Sequence, residues 1–369
     1  MQKIWICGCD GQIGKAINHV VNKLEFEILD TDKDDLDVTN NEEVLRSGEM
    51  NRPDVIINCS GMTNTDACEK DKRQAFLVNA MGARNLSIIA SKVNAKMVQI
   101  STDDVFDGLE QKAYSEFDMT NPQTVYGKTK LAGENYVKEF AHKHFIIRST
   151  WVYGYGDNFV TGFLKNAKAG DDLMIAEDHY GSPTNANDLA HFILKLIRTS
   201  EYGTYHATNK GSCSRYEFAK EIASLAGLDV TIQKVPHEQS DFSAVRPVNA
   251  VLNNFILSLT DIYDFPEWKD SLGVVVFGNQ SQQLQDLIPF RVYPLPYIKN
   301  EHELVDIYNA VDLFAIPSLE ENLPNMIMEA MACGVPCVGF NVGGIPEMID
   351  HLHNGYVAQY KSSEDFANG

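Results

Sequence analysis

The chain has 369 residues, 44% of them apolar and 22% charged, and a formal net charge of −20; this excludes a disordered chain and predicts two or three folded domains. So acidic a protein repels phosphate backbones and anionic lipid, which excludes nucleic acid and membrane surfaces as principal partners. A single pyrophosphate can still be held by backbone amides at a helix N-terminus. Cys7, Cys9, Cys59, Cys68, Cys213, Cys333 and Cys337 form no C-x-x-C pair; they read as reduced, mostly buried thiols, and no metal site is expected. The N-terminus lacks signal-peptide architecture and no run approaches a membrane span, so the expected location is cytoplasmic.

Short apolar runs alternate with segments of helical period through the first half. In chain order, strands are expected at 3–7, 26–29, 55–59, 97–101 and 145–148, and helices at 14–24, 42–49, 75–92 and 125–142. This is the pattern of an α/β fold, a Rossmann-like doubly wound parallel sheet. From about residue 159 the rhythm loosens, with turn clusters at 181–183 and 209–211, as in a smaller substrate-binding lid. Near residue 272 the chain restarts with a buried strand at 273–278, followed by strand and helix signals at 313–317, 326–331 and 336–340. The expected domains are 1–271, with a nucleotide-binding core about 1–158 and a lid mainly 159–271, and a partial second Rossmann-like α/β unit at 272–369.

Gly8-Cys9-Asp10-Gly11-Gln12-Ile13-Gly14 follows the first strand and opens the first helix, the setting a dinucleotide pyrophosphate requires. Gly8 permits the tight turn, Gly11 the approach of the phosphates, and Gly14 close packing of helix on strand. After the second strand, Asp32 favours NADH by accepting from a ribose hydroxyl, whereas Lys33 tolerates the extra phosphate of NADPH, so either cofactor is expected. Asp37 stands where an adenine contact or a plain turn would place it. Tyr126 and Lys130 lie four residues apart on one helix face. There a phenol can protonate a carbonyl reduced by hydride, if the ammonium and a positively charged nicotinamide lower its pKa. Thr102, at the end of the preceding strand, can orient the same carbonyl oxygen.

With Asn58-Cys59-Ser60-Gly61 and Ser101-Thr102-Asp103, these motifs resemble the extended short-chain dehydrogenases, and more narrowly the dTDP-4-dehydrorhamnose reductase family. Further matching phrases run to about residue 271, among them 52–58, 103–108, 148–154 and 178–184. The resemblance implies a catalytic centre of Thr102, Tyr126 and Lys130. It implies a cofactor site that adds Asp10, Gln12, Ile13, Ser60 and Thr63 to the residues above. It also implies a nucleotide-sugar site of Asp103, Asp104, Trp151, Asn158 and Arg246. Trp151 offers an apolar face for a sugar ring or base and Arg246 a fork for a diphosphate. Three positions depart from the family pattern: Asp104 where an aromatic is usual, Met62 where an aromatic or histidine is, and His179 where glutamine is. The expected reaction is reduction of the 4-keto group of a dTDP-4-keto-6-deoxyhexose, with dTDP-L-rhamnose as product. A non-catalytic subunit of the same fold is the alternative of another class, opposed by the intact Thr102, Tyr126 and Lys130. Assembly is open, a homodimer being one arrangement.

The last stretch, with seven residues between Glu321 and Glu329, Ala330–Pro336 and 343–347, resembles the nucleotide-binding half of family-4 retaining glycosyltransferases. A glycosyltransferase or bifunctional fusion is thus a further alternative. It would need a missing acceptor half, so transfer activity is not expected of this segment alone.

Overall fold

The computed structural model describes residues 1–170, 173–226, 228–237, 247–272, 274–277, 292–295, 298 and 300–369. The chain divides into two compact units, Met1–Leu272 and Gly273–Gly369.

The first unit is built on β1 (Gln2–Cys7), β2 (Phe26–Thr31), β3 (Val55–Asn58), β4 (Lys96–Thr102) and β5 (His144–Ser149), with Gly203–His206 as a sixth strand. They lie in the order Gly203–His206, β5, β4, β3, β1, β2, all parallel. The order reverses between the neighbours β1 and β3, and the C-terminal ends of those strands flank the crevice where doubly wound sheets hold ligands. Alternation along β1 sends Ile4 and Ile6 to one face and Trp5 and Cys7 to the other. Helices α1 (Gln12–Val20) and α2 (Asn41–Asn51) follow the first two strands. After β3 come α3 (Thr65–Lys70), α4 (Lys72–Phe76), a π-helical turn (Leu77–Gly82) and α5 (Ala83–Val93), then α6 (Val125–Phe140) after β4. The single helix expected at 75–92 is therefore interrupted. The π turn places Asn79 to bond Met62 through both its amide groups and Thr129 of α6 through Nδ2. Such turns cluster at functional sites.

Residues 159–225 of this unit carry α7 (Phe159–Ala169), α8 (Ala186–Leu196) and α9 (Arg215–Leu225). Of these, α8 covers the sheet face shared with α1. A separate hydrophobic cluster gathers Tyr153, Phe163, Leu173, Phe218, Ile222 and Trp268. Tyr180–Gly181 pairs antiparallel with Cys213–Ser214 and parallel with Asn249–Ala250.

In the second unit Val274–Phe277 pairs in parallel with Val292–Leu295, and Cys337–Phe340 lies between Phe314–Ile316 and Gly355–Ala358, again parallel. Its core is Tyr308, Ile316, Ile327, Ala330, Cys337 and Ile345. No helix among the described residues is long and apolar enough to cross a membrane.

Candidate active site

Gly8 leaves β1 at φ +81°, a backbone that glycine alone adopts freely, and a β-carbon there would lie 2.6 Å from the Ser60 amide nitrogen. A β-carbon on Gly14 would overlap the Gly8 carbonyl, so α1 packs directly on the turn. Gly11 is the N-cap of α1 and offers no side-chain cap, which leaves the amides of the first turn to a ligand. Asp32 closes the edge of this cradle, its carboxylate accepting from the Asp10 amide at 3.0 Å and the Lys33 amide at 2.7 Å. Uncapped amides beside a glycine turn, with a carboxylate at the end of β2, fit a dinucleotide. Ser60 bonds the Asn58 side chain at 2.5 Å, and Thr63 is exposed. Asp37 accepts from the Thr39 amide at 2.8 Å, so its carboxylate serves the turn. Cys9, Asp10 and Asp32 bring three ligand-type atoms within 4.8 Å of one another at the mouth of the cradle.

Thr102 ends β4 and Tyr126 opens α6, and two contacts bring them together. Gly127 lets α6 press on the turn Asp103–Val105, since a β-carbon there would overlap the Asp104 carbonyl. Thr124 caps α6 through the Gly127 amide at 2.9 Å, and Glu69 of α3 accepts from the Val125 amide at 2.8 Å. The Thr102 hydroxyl then lies beside the Tyr126 phenol, near enough to pull its pKa down. The same hydroxyl donates to Asp103 Oδ1 at 3.0 Å and accepts from the Asp104 amide at 3.2 Å.

The electrostatics differ from expectation at Lys130. Its ammonium is buried and donates to the Ile100 carbonyl at 2.6 Å, and burial pushes its pKa down to about 8. A buried ammonium needs an acceptor, and the end of β4 supplies one. The phenol of Tyr126 is accordingly not lowered: burial, followed by the Asp104 carboxylate, pushes it up, while the Thr102 hydroxyl pulls the other way. Asp103 is also pushed up, by burial first and then by Asp104, against the hydrogen bond from Thr102. Asp104 is buried and accepts from the Thr124 hydroxyl at 3.2 Å.

Two residues expected at the sugar are occupied otherwise. Trp151, at φ 48°, packs on the cluster of Tyr153, Phe218 and Trp268, with the Arg215 guanidinium 3.5 Å over its ring and the Gly181 backbone against it. The edge of His179 meets that ring at a centroid distance of 5.2 Å. Asn158 is the N-cap of α7 in a capping box: its Oδ1 accepts from the Val160 and Thr161 amides at 2.9 and 3.2 Å, and its Nδ2 donates to the Gly156 carbonyl. With both ends of the amide engaged, it has little left for a substrate. Arg246 lies outside the described residues.

Thr150 and the pair Glu134–Arg148 escaped sequence reasoning. The one visible signal was an arginine at the end of the apolar run of β5. In the second unit, Glu329 accepts from the Tyr308 hydroxyl at 3.2 Å and Glu321 from the Ser318 hydroxyl at 2.8 Å.

A nucleotide cradle at the switch point of a doubly wound sheet, with Thr102 at the end of β4 and Tyr126 at the start of α6, defines an extended short-chain dehydrogenase. Residues 1–279 match the family model "RmlD substrate binding domain", and residues 261–369 match "Glycosyl transferases group 1". The chain is 34% identical over 273 residues to the spore coat polysaccharide biosynthesis protein SpsK of Bacillus subtilis, covering 74% of this chain and 96% of that protein. It is 35% identical over 280 residues to the dTDP-4-dehydrorhamnose reductase of Escherichia coli, covering 70% and 93%. Among solved structures, a dTDP-4-dehydrorhamnose reductase from Bacillus anthracis in complex with NADP is 40% identical, with a TM-score of 0.72 over 74% of this chain and 98% of that one. One from Clostridium acetobutylicum is 44% identical, also with a TM-score of 0.72, over 73% and 97%. The chain belongs to the dTDP-4-dehydrorhamnose reductase family and is an NAD(P)H-dependent oxidoreductase, with a glycosyltransferase-like segment behind it.

Proposed function

We propose that the protein reduces the 4-keto group of dTDP-4-dehydrorhamnose to give dTDP-L-rhamnose. The relatives named for that activity support the substrate, although one from Streptomyces niveus, 31% identical, is named a dTDP-4-keto-6-deoxy-D-glucose reductase. The cofactor, when bound, supplies the hydride to C4. Thr102 holds the carbonyl oxygen and Tyr126 delivers the proton. Lys130, beside Gly61 and Cys59, shapes the floor under the nicotinamide ribose, and the Asp103–Asp104 turn borders the sugar. Asp10, Gly11, Gln12, Ile13 and Gly14 hold the pyrophosphate, and Asp32 holds the adenosine ribose.

The observation that carries this reading is the meeting of the Thr102 hydroxyl and the Tyr126 phenol at the C-terminal end of β4, next to the glycine turn. Purified protein given dTDP-4-dehydrorhamnose should consume NADH or NADPH and release dTDP-L-rhamnose, and Tyr126→Phe should lower kcat by at least about 100-fold. Folded protein that oxidises neither cofactor with this sugar or with dTDP-4-keto-6-deoxy-D-glucose would sink the assignment.

A further inference from the structure

Ser101 immediately precedes Thr102 on β4, and its side chain is tied to α6. The hydroxyl donates to Glu134 Oε1 at 2.6 Å, a short bond to an ionised acceptor. Glu134 is fully buried, and Arg148 of β5 donates to the same carboxylate, Nε to Oε1 at 2.9 Å and Nη2 to Oε2 at 2.7 Å. Ser101 and Arg148 are register partners in the sheet. Side chains from two neighbouring strands thus leave the same face and meet on one carboxylate of the helix that covers it. One turn earlier on α6, the Lys130 ammonium donates to the Ile100 carbonyl at 2.6 Å. Tyr126, Lys130 and Glu134 are spaced four apart and share a face of α6. The helix therefore grips two successive residues of β4, Ile100 and Ser101, with the face that carries Tyr126.

We infer that the bond from Ser101 to Glu134 is a positioning contact of the reduction, fixing the end of β4, and with it Thr102, at its distance from Tyr126. This rests on the reductase reading above. Both residues act through Thr102, so they are positioning residues. The ion pair would be complete without Ser101, since Arg148 supplies its charge and two hydrogen bonds. What the serine adds is a link between the helix that bears the proton donor and the strand that bears the hydroxyl orienting the carbonyl. Beyond Thr102 the chain enters the Asp103–Val105 turn, where Gly127 packs against the Asp104 carbonyl. Thr102 is thus held to α6 from both sides in sequence. A displacement of about 1 Å between groups that must act on one carbonyl can cost about 100-fold in rate.

The test compares wild type, Ser101→Ala and Ser101→Thr as full chains. Ser101→Ala removes the hydroxyl and leaves Glu134 paired with Arg148, so the variant should fold; Ser101→Thr returns a hydroxyl on a residue suited to a strand. With the 4-keto sugar and NADH, alanine should lower kcat about tenfold or more with KM for both little changed, and threonine should recover most of the loss. Ser101→Ala with wild-type kcat, or with its defect confined to KM, overturns the inference. A second measurement needs no turnover. In protein labelled with 3-fluorotyrosine, the fluorine-19 resonance of Tyr126, identified by its loss in Tyr126→Phe, should move in Ser101→Ala and return in Ser101→Thr. A wild type that reduces no 4-keto sugar removes the reductase reading, and the contact is then judged on that resonance alone. Moved by alanine and restored by threonine, it sustains the contact between β4 and α6; unmoved by alanine, it overturns it.

Discussion

Gly127 of α6 lies so close to the backbone carbonyl of Asp104 that any β-carbon at 127 would overlap it. This contact sets how far Tyr126 stands from Thr102, because the residue before Gly127 is Tyr126 itself. Gly127→Ala should lift the first turn of α6 off the Asp103–Val105 turn. Overpacking of this kind costs about 1–3 kcal/mol, so thermal unfolding should come several degrees lower. The decisive reading is kcat, expected to fall more than tenfold while cofactor binding, measured by fluorescence, changes little. An alanine enzyme with normal kcat would show that the spacing does not matter.

Glu134 of α6 and Arg148 of β5 form a buried bidentate pair, Nε to Oε1 at 2.9 Å and Nη2 to Oε2 at 2.7 Å, with the Ser101 hydroxyl on Oε1 at 2.6 Å. Removing one partner leaves the other charge buried, a cost of about 3–5 kcal/mol. Arg148→Met should therefore destabilise the first unit strongly, and a double change of Arg148→Met with Glu134→Leu should recover much of the loss. Hydrogen bonds and the charge of Arg148 hold the Glu134 carboxyl below its ordinary value against the pull of burial. Its contribution is thus complete above the normal glutamate pKa and disappears as pH falls through the lower, folded value. Denaturant titrations across acid pH should show wild type losing stability faster than the double variant.

Much of this architecture could be read from residue order alone. The alternation of Ile4 and Ile6 with Trp5 and Cys7, and the glycines at 8, 11 and 14, set the sheet and its nucleotide end, since strand period and backbone freedom are local properties. The convergence of Thr102 and Tyr126 was legible because each is fixed by the end of its own element. The direction of the Lys130 ammonium was not, for spacing on a helix says which face a side chain shares and nothing of the Ile100 carbonyl across the gap. The π turn at Leu77–Gly82 gave no sequence signal, being set by what Asn79 must reach. The capping role of Asn158 was not separable for a related reason: an asparagine before an apolar helix caps it, and sugar contacts look no different in one dimension.

Asn158 supplies a separation of fold from function. Asn158→Ala removes two bonds to backbone amides and one to the Gly156 carbonyl, which should cost about 1 kcal/mol, as for other helix caps. Asn158→Asp keeps the cap and should be nearly neutral in stability. Because the amide is taken up by the helix, KM for the sugar should follow the loss of stability and be normal in the aspartate variant. A large rise in KM for both variants would return Asn158 to the substrate.

Asp32 is the residue expected to set the preference between the two nicotinamide cofactors. Its carboxylate is held by two backbone amides at 3.0 and 2.7 Å, so it cannot swing away from an approaching ribose without breaking both. A hydroxyl on the ribose can donate to it; a phosphate there brings two negative charges against it. Asp10, Asp30, Asp34 and Asp35 add to that repulsion, and Lys33, which is exposed, is the nearest cation in sequence. Wild type should accordingly favour NADH in kcat/KM. Asp32→Ser should shift the ratio toward NADPH by about tenfold or more, equivalent to ~1.4 kcal/mol, with the loss of NADH efficiency smaller than the gain for NADPH. Raised salt should narrow the wild-type preference, since screening weakens exposed charge repulsion. A wild type that prefers NADPH, and whose preference Asp32→Ser leaves unchanged, would place the recognition elsewhere, with Lys33 as the next residue to replace.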